Sequence, residues 1–250
     1  MLQRIDLRPF LETVVEDAGL HARWLATLSL LEHTGARKIH RSMPGLPGHL
    51  RLAESVLQHA AEEARHAFFF RKQIGKILAT DTTHGTGTVP PANETEQSLA
   101  GTVTGSKTTK SGKTETGSDQ PEPLCRWQAL HYFQSLDAWC KRRAVQVLSE
   151  HSPAVQTLYC YLAVTYAIEE RAVDVYRDYE AALREKELPV HLSGLLKEEE
   201  GHMSEILAMA SEELPLDFEN ELKILMSREG LLFHPFAEAL SHSALTTALL

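Results

Sequence analysis

An all-α protein is predicted, and three observations predict it. Apolar residues recur at helical spacing through several long runs. Proline and glycine clusters punctuate those runs. No stretch shows the apolar–polar alternation of a half-buried strand.

The first expected bundle helix spans 20–42, where Trp24, Leu25, Leu28, Leu31 and Ile39 line one face. MPGLPG at 43–48 ends it. Pro44 and Pro47 lack the N–H a helix needs, and Gly45 and Gly48 permit turn dihedrals. A second helix follows over 50–79. From Asp81 to Pro123 the chain is Thr, Gly, Ser, Pro and charge, with almost nothing to bury. Such a stretch cannot offset its ordering entropy, so 81–123 is expected to be a disordered low-complexity insert. An extra helix is expected over 127–149. Ser152 then supplies an N-cap, and Pro153 the first position of a helix reaching 185. Leu188-Pro189 breaks the chain before the fourth bundle helix, 190–211. The tail, 216–250, reads as one or two short helices with a turn at Gly230. All 250 residues are assigned to a single domain.

Composition narrows the function classes. A formal net charge of −9 argues against binding nucleic acid through bulk positive charge. Lys141-Arg142-Arg143 is a local exception that reads as a solvated helix face. The three cysteines, Cys125, Cys140 and Cys160, form no C-x-x-C pair, which disfavours a disulfide scaffold, a zinc knuckle and a rubredoxin-type iron site. The opening residues carry acids where a secretion signal would be apolar, and no run approaches a membrane span. A cytoplasmic location is therefore expected.

Two strings carry the chemistry. Glu63-x-x-His66 falls on the second helix and Glu199-x-x-His202 on the last bundle helix. Residues three apart share a helix face, so each carboxylate and imidazole can hold one metal ion between them. Alone, either string is also what an exposed pair on a solvated face looks like. Their upstream partners change the reading. Glu32 precedes Glu63 by 31 residues, and Glu169 precedes Glu199 by 30. Each interval contains a helix break, so folding each half as an antiparallel pair brings its lone Glu level with its Glu-x-x-His. Glu32 in LSLLEHTGA and Glu169 in YLAVTYAIEERA also sit within apolar stripes, where an unpaired acid is costly. Four carboxylates would balance two divalent cations, and oxygen with imidazole donors suits iron or manganese.

Register alternatives exist. Glu62 and Glu198 lie four before the same histidines, and Glu170 adjoins Glu169. His59, four before Glu63, reads either as a helper of the ligands or as a plain helix histidine. His33 points about 100° away from Glu32 around the helix and is not expected to ligate. Phe68-Phe69-Phe70 covers too much of a helix for one face, so core packing against other elements is expected.

The order Glu32, Glu63-x-x-His66, Glu169, Glu199-x-x-His202 resembles the ferritin-like di-iron carboxylate superfamily, nearest to rubrerythrin-type domains. Glu169-x6-Tyr176 is similar to a pattern of that group. Tyr176 would share the face of Glu169 and could donate a hydrogen bond to a ligand. The matching position after Glu32 is Ile39, a departure from the pattern. The resemblance covers roughly 20–79 and 153–211. It implies a four-helix bundle with a long crossover and two iron ions, or manganese or a mixed pair. Glu63 and Glu199 would bridge the metals. Glu32 with His66, and Glu169 with His202, would be terminal ligands. The implied activity is an oxidoreductase acting on dioxygen or hydrogen peroxide. Electrons would come from an external donor protein, because no rubredoxin domain is present. Bundles of this type often form a homodimer. Two other readings stand beside it. One is iron storage, for which the long insert is awkward in a cage subunit. The other is a non-catalytic helical interaction protein.

Overall fold

The computed structural model describes residues 6–48, 50–84 and 120–248. Among these residues are seven α-helices and no strand. They are α1 (Arg8–Glu16), α2 (Ala18–Ser42), α3 (Leu50–His84), α4 (Arg126–Val147), α5 (Pro153–Glu185), α6 (Ser193–Glu213) and α7 (Phe218–Ala248).

Two antiparallel pairs carry the chemistry-bearing residues. A 3-10 turn at Met43–Gly45 lies between α2 and α3, which pack along each other. Ser29 Oγ donates to the carbonyl of Ala67 at 2.8 Å, which fixes the level of one helix against the other. Between α5 and α6, Glu180 Oε2 accepts the Leu192 N–H at 2.6 Å, and Arg177 pairs with Glu200 at 2.5 Å. Ser152 caps α5 as expected, its hydroxyl accepting from the Val155 N–H.

α1 is not among the expected helices. Its nine residues carry only four inward positions, Phe10, Leu11, Val14 and Val15, all buried. So short a helix is held by packing rather than by propensity. Phe10 meets the edge of Trp24 at 5.2 Å between ring centroids.

The tail corrects the expectation of short helices with a turn at Gly230. α7 runs unbroken through Gly230 and Pro235. Leu222, Leu225, Glu229, Phe233, Phe236, Leu240 and Ala244 are buried at spacings of three or four. At roughly 1.5–3 kcal/mol for each large apolar side chain, that stripe outweighs the cost of about 3 kcal/mol for an interior proline. α7 packs against α4, α1, α5 and α6.

The low-complexity insert is trimmed at both ends. Residues 81–84 continue α3, and residues 120–125 dock on α2. There Arg23 Nε donates to the Glu122 carbonyl at 3.3 Å, Thr27 Oγ1 donates to the Leu124 carbonyl at 3.2 Å, and Leu124 is fully buried. The expected disorder of the remainder, 85–119, lies outside the described residues. Among the described residues no helix is long and apolar enough to cross a membrane.

Candidate metal centre

Four helices converge on one buried cluster. α3 supplies His59, Glu63 and His66, spaced four and three apart on a single face. α2 supplies Glu32, α5 supplies Glu169, and α6 supplies Glu199 and His202. None of the seven is more than 6% exposed, so neither Glu-x-x-His string is a solvated surface pair.

The cluster divides into two overlapping groups whose ligand atoms lie within 4.8 Å of one another. One is Glu32, Glu63, His66 and Glu199. The other is His59, Glu63, Glu169 and His202. Glu63 belongs to both. Glu199 spans them too, with Oε1 at 3.0 Å from His66 Nδ1 and Oε2 at 3.1 Å from His202 Nδ1. All six residues expected to ligate metal are thus brought together.

His66 and His202 each turn Nδ1 inward and are braced from behind by the opposite pair. His66 Nε2 lies 2.7 Å from Glu198 on α6, and His202 Nε2 lies 2.9 Å from Glu62 on α3. Acids flanking the cluster thereby hold a proton on Nε2, so that Nδ1 is the nitrogen each would offer a cation. This resolves the register alternatives. Glu63 and Glu199 point into the cluster, and Glu62 and Glu198 orient the imidazoles. Glu170 is half-buried and outside both groups, and His33 is exposed.

The polar atoms in the middle are unsatisfied. Glu63 Oε1, His66 Nδ1 and Glu199 Oε1 are buried without a hydrogen-bond partner. His66 Nδ1 and Glu199 Oε1 are close, but they are not aligned as a hydrogen bond. Buried polar groups are rarely left in this state, and a divalent cation would satisfy all three at once. The residues present therefore fit a pair of divalent cations.

The metal-free electrostatics carry the same message. Burial, then the charge of Glu199, lifts the Glu32 carboxyl from its ordinary 4.5 to about 7. Burial and the facing carboxylates of Glu169, Glu32 and Glu199 hold Glu63 well above the usual carboxylate range. Burial and Glu169 raise Glu199. Burial opposes charge on the two inward histidines, but the surrounding carboxylates outweigh it. His66 is raised to about 9 by Glu199 and Glu32, and His202 to about 11 by Glu169 and Glu199. Burial and the nearby His202 lower His59 to about 3. Such opposed shifts in one pocket mark a site that a cation would discharge.

Partners from the opposite half hold the carboxylates of Glu32 and Glu169. Tyr176 is buried, and its hydroxyl donates to Glu32 rather than to the neighbouring Glu169. His59 Nε2 lies 2.9 Å from Glu169 Oε1, and its Nδ1 lies 3.2 Å from the Tyr161 hydroxyl. The sequence reading left His59 between helper and plain helix histidine; the structure makes it a cluster member. The sequence signal was the His-x3-Glu-x2-His stripe on α3. Its partner Glu169 is 110 residues away, beyond the reach of local spacing.

A cavity of about 50 Å³ borders Glu32, Glu63 and Glu169. Its far walls come from α4 and α7, through Tyr132, Phe133, Phe233 and Phe236. Ala172 and Val175 on α5 complete an apolar lining. Polar groups at the rim are already paired: Glu229 accepts from Tyr132 at 2.8 Å and from Arg171 at 2.9 and 2.6 Å. The Phe triplet meets the expected core packing only in part: Phe70 is buried against Tyr176, but Phe68 is exposed beneath Lys72. On α2, Gly35 leaves only 3.1 Å between Glu63 Oε2 and the point where a Cβ would stand.

No protein-family model, curated protein or solved structure matches this chain.

Proposed function

We propose that the chain is a ferritin-like di-iron oxidoreductase that activates dioxygen. Its ligands in this reading are Glu32, Glu63, His66, Glu169, Glu199 and His202, with His59 as a seventh donor. The observation that carries it is the set of partnerless buried atoms on Glu63, His66 and Glu199, at the overlap of two four-residue groups. Four carboxylates balance two divalent cations, and the oxygen and imidazole donor set suits iron, with manganese or a mixed pair as the near alternative. When bound, two ferrous ions side by side supply the two electrons that reduce an oxidant.

The chain's own residues do the rest. Glu63 and Glu199 reach both halves of the cluster and hold them at a common distance. Glu62 and Glu198 keep the Nδ1 lone pairs of His202 and His66 pointed inward. Tyr176 fixes the orientation of Glu32, and in the metal-free chain His59 holds Glu169 through the same Nε2 it would offer a cation. The apolar cavity supports dioxygen over hydrogen peroxide, because peroxide would lose hydrogen bonds on entering it. The chain has no C-x-x-C pair, so its electrons are assigned to an external donor protein.

The test is to load the purified chain with ferrous iron under argon and then admit air. Two irons per chain are expected, with a ferric band in the near ultraviolet and one dioxygen consumed per iron pair. Glu63→Ala and Glu199→Ala should each abolish tight binding of the pair. Less than one iron per loaded wild-type chain would overturn the reading.

A further inference from the structure

A second concavity lies between α2, α4 and α5, nearer the N-terminal end of α5 than the apolar cavity, with Phe133 between the two. Its volume is about 750 Å³, within the 300–1,000 Å³ typical of small-molecule sites. Its charge runs against that of the whole chain. Arg37, Lys38, Arg41 and Lys141 line it, and Asp137 is its one acid, in a chain of net charge −9. Asp137 is already engaged, accepting from Lys38 and, at 2.9 Å, from Lys141. Arg37 and Arg41 are exposed, lie one turn apart on α2, and have no ion pair among the described residues. The groove therefore carries a local excess of positive charge. At physiological salt, charges beyond roughly 8 Å are largely screened, so this local excess outweighs the net negative charge.

Its walls are not only charged. Phe133 and Pro153 line it, and Val145 lines it while 57% exposed, an apolar surface open to water. Tyr161 forms part of the lining and contacts His59 of the metal cluster, so the groove ends one side chain from that cluster.

We propose that this groove is a binding site for a small organic anion, with a phosphate or carboxylate head and an apolar body. The head meets the guanidinium forks of Arg37 and Arg41, whose planar donor geometry matches either group. The body covers the exposed Val145. The site stands on different residues from the metal centre, and its test does not depend on that centre being loaded.

Fluorescence titration of the full chain with naphthalene-2-sulfonate, an anion with an apolar body, tests it. One saturable site per chain is expected. Methanesulfonate, which lacks the body, and 2-naphthol, which lacks the charge, should each compete at least tenfold more weakly than the probe binds. Arg37→Glu with Arg41→Glu, at exposed positions, should weaken the probe at least tenfold while the circular dichroism melt stays unchanged. Glu63→Ala should leave probe binding intact. Displacement by phenyl phosphate or by benzoate identifies the head group. Absence of saturable binding, binding indifferent to the double charge reversal, or displacement by neither competitor overturns the proposal.

Discussion

Replacing Glu32 by glutamine should stabilise the metal-free chain and, in the same stroke, remove one of the two metals proposed for it. In the folded, metal-free chain, burial and the charge of Glu199 raise this carboxyl from 4.5 to about 7. A raised carboxyl binds protons more tightly when folded than when unfolded. Its ionisation therefore costs stability as pH rises from 4.5 through 7, and the full cost is present above 7. At about 1.4 kcal/mol for each tenfold change in acidity, the cost is about 3 kcal/mol. The amide keeps an oxygen to accept the Tyr176 hydroxyl, so the substitution removes charge and little else. For a chain of this size about 3 kcal/mol corresponds to a rise in Tm of about 6–12 °C. Calorimetry at pH 8 with a chelator should read that rise, and at pH 4.5 it should vanish. Metal titration should then fall from two ions to one, because His59, Glu63, Glu169 and His202 remain. An unchanged or lower Tm at pH 8, or retention of two ions, would refute the reasoning.

The metal-free wild type should lose stability between pH 6.5 and 9. There the raised Glu32 completes its ionisation near 7, and the stability from protonated His66 is lost as pH approaches about 9. His59, lowered to about 3, acts only below 6.5, so melting curves at pH 6.5 and 9 isolate the effect; a Tm that climbs over that window contradicts it. His59→Ala should weaken the second of two metal-binding steps by about tenfold or more and spare the first, read by stepwise calorimetric titration. Glu229→Ala leaves the largely buried Arg171 unpaired and should cost about 3–5 kcal/mol, lowering Tm by roughly 10 °C in the chelated protein.

What was legible in the sequence followed from local geometry. Helical spacing set the faces of Glu63, His66, Glu199 and His202, and the helix breaks set the level of Glu32 and Glu169 within each pair. What was not legible depended on how the two pairs dock. Glu62 and Glu198 reach the outer Nε2 of a histidine of the other pair, while their neighbours Glu63 and Glu199 turn into the buried middle. His59 acquires its role from Glu169 and Tyr161 across the cluster. Gly230 misled as a turn, because the buried stripe of α7 overrides local preference. α1 was missed because nine residues carry too little periodicity to stand out.

Gly35 sets two selective pressures against each other. Inside a helix, glycine is a weakness, and alanine in its place ordinarily gains about 0.5–1 kcal/mol. Here a methyl group would stand 3.1 Å from Glu63 Oε2, so the carboxylate shared by both ligand groups would have to move by a few tenths of an ångström. A library of variants ranked by thermal resilience alone would therefore enrich Gly35→Ala. The same library ranked by metal retention would discard it. The position is an inexpensive gauge of which property a given screen rewards.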